Sequence, residues 1–441
     1  MLENTGSYSR KTVKGSPLLE QTMANVSIQK VAVTESASKQ ARSYTPALVS
    51  LAVLYFMMGF ITCLNDTLVP FFKKGFTLSY AQSSLVQFYF FVTYGIMSFP
   101  ASKVVERIGY KNGMIAGFSI AAIGALLFFP ASMLHQYAIF LAALFILAIG
   151  IVLLQVAANP YITILGQPRT ASSRLTLIQA VGSIGTTVAP IFGAYFILSR
   201  LQDSTASSEA VKYPYLGVAA LLVGIAFVVS QLKLPAVNPQ PGIKENILPG
   251  NASSVFSFRN LNFGVWAIFF YVGAEVSIGT FLTNYISDTV HIPEEEANRL
   301  VAFYWGSMLA GRLTGYFLLK LIKPAYVLSA SAALAILLII VSVTSSGYVA
   351  VWTMIAVGLS NSIMFATIFS LSVNGLGTYT TQASGMLSTA IVGGAVITFA
   401  QGFVKDLATW PLAFMIPLAC YVYILYFGLN GYKSTYTALT E

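Results

Sequence analysis

The sequence predicts an all-α membrane protein of twelve transmembrane helices arranged as two pseudo-symmetric halves of six. Three observations predict it. Of 441 residues, 56% are hydrophobic and only 9% charged, whereas soluble domains carry roughly 25% charged residues, so most of this chain has lipid for a solvent. Apolar runs recur that are long enough to cross a hydrocarbon core of about 30 Å, which takes about 20 residues of helix. The longest internal polar stretch, residues 233–260, divides those runs six and six.

Residues 1–45 are polar and Ser-rich without an apolar signal-peptide core, and read as a disordered cytoplasmic tail, so the insertion signal falls to span one itself. Span one, 46–72, carries Asn65 and Asp66 in CLNDTLVPFF. Span two, 80–102, closes on a basic turn running from Lys103 through Arg107 to Lys111, and span three, 113–134, is uncharged. Span four, 136–166, holds Gln155 and Asn159 ahead of Pro160; span five, 175–199, holds Gln179 and Gly185. Prolines and glycines inside these runs suit membrane helices better than soluble ones. Span six, 213–232, completes the half spanning 46–232, and the linker 233–260 follows, rich in Pro, Asn and Ser. Span seven, 261–286, contains Glu275 in YVGAEVSIGTFLTNY. Span eight, 298–319, contains Arg312 and ends in the basic turn Lys320 to Lys323. Spans nine to twelve cover 325–344, 347–373 (with Asn361), 385–404 and 409–430, closing the half 261–430 before a cytoplasmic tail, 431–441.

Charge orients the chain. With the N-terminus in the cytoplasm, seventeen of the 24 basic residues fall on that side, six on the other, and Arg312 within a span. This asymmetry places both termini inside. The net charge of +9 is therefore mostly topology, and a nucleic-acid partner is not expected because the charges are not clustered on one polar domain. Cys63 and Cys420 lie in apolar runs and read as small core residues, with no metal or disulfide spacing. His135 and His291 sit between apolar runs, so any titrating group at membrane depth must be a carboxylate.

The halves also repeat weakly. Thr170-Ala-Ser-Ser-Arg-Leu, then Ala180-Val-Gly-Ser, follows span four; Thr381-Gln-Ala-Ser-Gly-Met, then Ile391-Val-Gly-Gly, follows span ten. Two facing halves are the architecture of alternating-access carriers, which hold a solute near mid-membrane where the halves meet.

Three charges lie within the spans: Asp66, Glu275 and Arg312. Each costs roughly 2.5 to 3.5 kcal/mol even on a lenient insertion scale, so each needs a reason. Asp66 reads as a functional acid, or as a cap on a local break before Pro70. Glu275 reads as a functional acid, or as a protonated acid bonded to a neighbouring helix. Arg312 reads as a structural arginine that snorkels to the cytoplasmic face or pairs with helix ends. The amides Gln155, Asn159, Gln179 and Asn361 would bond a hydroxylated solute, or else act as glue between helices. Aligning the halves sets Gln155 opposite Asn361. Aromatic faces at Tyr55, Phe88, Tyr161, Tyr271 or Phe365 would cover the solute's apolar side.

At these residues the sequence resembles the fucose:proton symporter family of the major facilitator superfamily, and more closely its glucose/galactose transporter branch. The stretches that carry the resemblance are LNDTLVPFF, LVQFYFF with MSFPAS, LLQVAANPYITILG, TASSRLTLIQAVGSIGTTVAP, YVGAEVSIGTFLTNYI, GRLTGYFLLK and NSIMFATIFSLSVNGLG. The resemblance implies the major facilitator fold and uptake of a hexose with a cation. The family's aspartate falls on Asp66; where fucose permeases carry a second acid in span four this chain has Gln155, and where they tend to carry a glutamine it has Glu275. Cys63 and Gly182 stand where fucose permeases usually place asparagines. Substrate contacts are expected from Asn65, Gln87, Gln155, Asn159, Gln179, Glu275 and Asn361.

Asp66 and Glu275 are expected to couple the cation, with Asp66 a candidate sodium ligand. No cofactor is expected beyond the coupled sodium ion or proton. A proton-carrying acid requires desolvation, whereas sodium requires several converging oxygens, and the sequence leaves both open. Lys103 and Arg107 are expected to latch the cytoplasmic side, with Arg312 as a gating or structural residue. The partners expected are a sugar and the bilayer of a bacterial inner membrane, with the chain working as a monomer. A facilitator for a drug or organic anion would want a more apolar or more cationic cavity. A membrane-embedded transferase would need a donor-binding loop, and the short loops show no nucleotide or metal pattern. The chain is therefore not expected to be an enzyme.

Overall fold

A computed structural model describes residues 48–64, 68, 76, 85–197, 209–232 and 254–434. Nine helices among the described residues are long and apolar enough to cross a membrane. The remaining predicted crossings are present in other forms. Leu48–Leu64 is a shorter apolar helix, and Phe88–Leu134 contains spans two and three. Glu294–Leu321 has span length, but Glu294, Glu295, Glu296 and Arg299 near its start, with Arg312 and Lys320, lower its hydropathy. The chain follows the twelve-span fold. Both histidines stand at helix ends in left-handed backbone, His135 at φ 52° and His291 at φ 56°, outside the spans as expected.

The turn between spans two and three is tighter than its sequence suggests. The helix Leu85–Leu126 is broken at Gly109, whose φ of 79° and ψ of 165° suit a residue without Cβ. The chain folds back there, so that a Cβ added at Gly113 would meet the Val105 side chain at 3.0 Å. Spans three and four approach closely enough that a Cβ on Gly150 would lie 2.4 Å from the Ala121 nitrogen. Small residues permit this contact, and in lipid it is packing of this kind that holds helices together.

Spans ten and eleven break in mid-course. Span ten is Gly347–Asn361 followed by Met364–Val373, and span eleven is Thr380–Thr389, a 3₁₀ turn Ala390–Val392, then Gly393–Leu407. Broken backbone at membrane depth is tolerated where it is buried in protein or lines a cavity. The C-terminal ends of spans four and ten leave orphan carbonyls that need donors. Arg174 supplies them to Ile162, Thr163 and Gln167, at 3.3, 2.9 and 2.9 Å. The fully buried Asn260 donates to Leu371, Ser372 and Asn374, at 3.3, 3.0 and 3.0 Å. Asn260→Ala strips three carbonyls of one donor group and should cost about 1–3 kcal/mol. A fall in the thermal unfolding midpoint in detergent checks this; Asn260→Asp, which has no N–H to offer, should fare no better.

Among the described residues, hydrogen bonds between the two halves gather toward one face, the basic one bearing the turns after spans two, four, eight and ten. Ser172 pairs with Ser370. Ser173 Oγ donates to the Tyr316 carbonyl at 2.9 Å, Ser384 Oγ to the Val156 carbonyl at 3.1 Å, and Tyr110 shares a 2.8 Å hydroxyl bond with Thr381. Spans two and eleven lie against one another, and a Cβ on Gly385 would meet the Ser102 side chain at 2.6 Å. This face is closed.

Candidate functional site

Span seven presents Glu275 toward a cluster of tyrosines from three helices. The Tyr304 hydroxyl, from span eight, donates to the Glu275 carbonyl at 3.1 Å. Tyr271, one turn before Glu275, has its hydroxyl within reach of the Glu275 carboxylate and 3.1 Å from the Asn361 carbonyl. Asn361 is the hub: its Oδ1 accepts from Tyr421 at 2.7 Å and its Nδ2 donates to Tyr304 at 3.0 Å. Asn361, expected as a sugar ligand, is fully buried with both amide ends bonded to tyrosines, which it fixes around the acid.

Span four supplies the opposite wall. Asn159 is 1% exposed; its Oδ1 accepts from Tyr55 of span one, while its Nδ2 has no protein partner. Gln155, one turn earlier, has its amide within reach of the buried Tyr94 hydroxyl of span two, and its Oε1 is left over. Gln179 of span five likewise keeps a buried Oε1 without partner. Buried amide atoms are expensive to leave unpaired. Three of them on two neighbouring helices mark a place where a polar ligand or water completes the bonding.

Polar contacts cross between the halves beside these groups. Arg312 Nη1 donates to Ser183 Oγ across the two halves, and Ser183 Oγ in turn lies 3.1 Å from the Gln179 carbonyl. Arg312 Nε reaches the Ser362 carbonyl at 3.4 Å, which the break in span ten frees from its helix. The guanidinium also acts electrostatically on Glu275. Arg312 thus joins a carbonyl at the break in span ten to a hydroxyl of the opposite half.

Gln155 and Asn159 stand one turn apart on span four beside Tyr94 and Tyr55, Gln179 lies one turn before the Ser183 that meets Arg312 of the other half, and Glu275 stands among the tyrosines of its own half. Asn65 and Asp66 lie outside the described residues, as does the side chain of Gln87. Gly182 packs on span one, where an added Cβ would sit 3.1 Å from the Tyr55 carbonyl, so at this position close helix approach takes precedence over a polar side chain. The expected latch at Lys103 and Arg107 takes another form. Both are exposed, with Lys103 Nζ 4.7 Å above the Phe99 ring. The turn instead meets the other half through Ser102, through Tyr110, and through Glu106, which bonds Gln382. Among the expected aromatics, Phe88 is exposed, Tyr161 is buried against Tyr110 with ring centres 5.8 Å apart, and Phe365 lies 6.3 Å from Tyr271. Tyr94, Ser183, Tyr304 and Tyr421 were not expected here. A tyrosine hydroxyl at membrane depth does need a partner, and that requirement is the signal that could have found three of them.

Residues 51–400 match the model of the Major Facilitator Superfamily. The chain is 48% identical over 406 residues to the glucose/galactose transporter of Brucella abortus biovar 1 (strain 9-941), across 91% of this chain and 97% of that one. It is 33% identical over 431 residues to the L-fucose-proton symporter of Escherichia coli (strain K12), across 92% and 98%. It also matches the crystal structure of a Major Facilitator Superfamily transporter, FucP, in the outward conformation. That match has a TM-score of 0.80 at 31% identity, over 88% of this chain and 99% of that one.

Proposed function

The chain belongs to the Major Facilitator Superfamily, and on that premise we propose that it takes up a hexose, glucose or galactose, with a sodium ion or proton by alternating access. Its membrane is a bacterial inner membrane, with the basic face and both termini toward the cytoplasm. The observation that carries this reading is the set of unpartnered buried atoms Gln155 Oε1, Asn159 Nδ2 and Gln179 Oε1. Such amides, together with an acid and a tyrosine cluster on the other half, offer the donors and acceptors a ring of hydroxyls requires. The names of the relatives support the same substrate class. The closed basic face corresponds to a carrier that opens outward.

Asp66 and Glu275 couple the cation in this reading. Each alternates between a charged form and one neutralised by the cation, which lets the loaded carrier reorient. Titration calorimetry of the purified protein with D-glucose, D-galactose, L-fucose and an aromatic organic anion tests the substrate class. Heat with one of the hexoses and none with the anion is expected, and the reverse pattern would assign a different cargo.

The turn carrying Glu106 lies outside the spans and adds a pH dependence. Burial pushes its carboxyl above the usual carboxylate range, against the hydrogen bond from Gln382 and the charge of Lys103. Opening the basic face returns the group to water and to its ordinary value. A carboxyl that binds its proton more tightly in the closed form favours closure as pH falls, and closure weakens as pH rises through the raised value. Glu106→Gln should flatten this dependence. The check is the maleimide reactivity of a cysteine introduced at Ser370, measured from acidic to neutral pH.

A further inference from the structure

We propose that Arg312 is a positioning residue that ties closure of the basic face to the charge on Glu275. The proposal rests on the coupling role given to Glu275 above, but its test needs neither sugar nor gradient. Arg312 belongs to one half, and its Nη1 donates to Ser183 of the other half. Its Nε is anchored at 3.4 Å to the Ser362 carbonyl where span ten breaks. A Cβ on Gly311 would meet the Ser362 side chain at 2.4 Å, so a glycine here lets span eight sit close enough for that anchor. Glu275 supplies the counter-charge from span seven. The other titratable groups acting on Glu275 or acted on by it are Tyr271 of its own span, Tyr304 of span eight and Tyr421 of span twelve. Arg312 is the cation among these groups.

A guanidinium keeps its charge at every accessible pH. With Glu275 ionised, its negative charge offsets that of Arg312 through space, and Arg312 gives a donor to Ser183 across the closed seam. When a proton or sodium ion neutralises Glu275, the same seam encloses a cation without counter-charge, which is costly away from water. A single serine hydroxyl does not replace a carboxylate. Opening the basic face breaks the Ser183 bond and the other seam bonds in either charge state, but only with Glu275 neutral does it also restore water to an unbalanced Arg312, so neutralisation shifts the balance toward the open form. Release of the cation to the cytoplasm re-ionises Glu275, restores its attraction for Arg312 and draws the face shut. A carrier loading outside and unloading inside requires this direction.

The test uses purified full-length protein with Cys63→Ala, Cys420→Ala and the reporter Ser370→Cys. Ser370 is 7% exposed and pairs with Ser172 across the seam, so a polar maleimide reacts there only when the face opens. Glu275→Gln should raise the labelling rate about ten-fold, the scale of one lost charge-assisted interaction. Ser183→Ala should raise the rate with Glu275 intact, and Ser183→Thr should keep it low. Arg312→Gln loses the same seam bond and should raise the basal rate too, but in that background Glu275→Gln should add nothing further, because no cation is left to respond to its charge. A merely structural arginine predicts that Glu275→Gln raises the rate as much with Arg312→Gln as without it, and that result would overturn the proposal. Unchanged labelling in Ser183→Ala, a one-atom deletion that tests the seam even where Glu275→Gln disturbs folding, would overturn it as well. If this pattern holds while no hexose binds, only the sugar assignment fails.

Discussion

Glu275→Gln should abolish gradient-driven accumulation of hexose, lowering the steady-state inside-to-outside ratio by about 100-fold, near the upper end of typical coupling free energies. Exchange of labelled for unlabelled sugar across the same membrane should survive. Glutamine has the shape of the neutralised acid and keeps a donor and an acceptor for the Tyr271 hydroxyl, but it cannot give up a proton or attract a cation. The variant therefore resembles a permanently loaded carrier, able to bind and reorient with sugar but unable to draw on the ion gradient. Asp66→Asn should behave in the same way from span one. Parallel uptake and counterflow measurements in vesicles separate the two activities; loss of both together would place Glu275 in folding or in sugar binding alone.

The second large effect is expected on the opposite wall. Gln155→Ala and Asn159→Ala should each raise the KM for hexose by about 10- to 100-fold, the range of a buried hydrogen bond of about 1–3 kcal/mol. The maximal rate should change less, because these amides bind the sugar alike before and during reorientation. Asn159→Ala also strips the acceptor from Tyr55, so its effect should be the larger. Asn361→Ala differs in kind. It frees the Tyr304 and Tyr421 hydroxyls together, and its main consequence should be lost thermal stability.

Much of this arrangement was legible in the residues alone, because lipid imposes simple requirements. Apolar length located the spans, including span eight with its charged start, and the cost of a carboxylate in hydrocarbon singled out Glu275. What stayed hidden was pairing over long stretches of chain. Nothing adjacent to Arg312 signals that a serine 129 positions earlier will meet it, or that the Ser362 carbonyl will accept from its Nε. Asn361 looked available because an amide in a span must bond something, and here the partners are tyrosines that sequence reading treats as packing. The latch was placed on Lys103 and Arg107 by charge, but a closed seam excludes water, and hydroxyls and glycines such as Tyr110, Thr381 and Gly385 tolerate that better than ammonium groups.

Uptake of labelled glucose, galactose and fucose into vesicles containing only this protein, with sodium and proton gradients imposed separately, tests the central claim most directly. One of these hexoses should accumulate above its outside concentration under an inward gradient of one of the two cations, and merely equilibrate when that gradient is collapsed. Equilibration without accumulation under either gradient would contradict the coupling, and absence of any hexose entry would contradict the carrier itself.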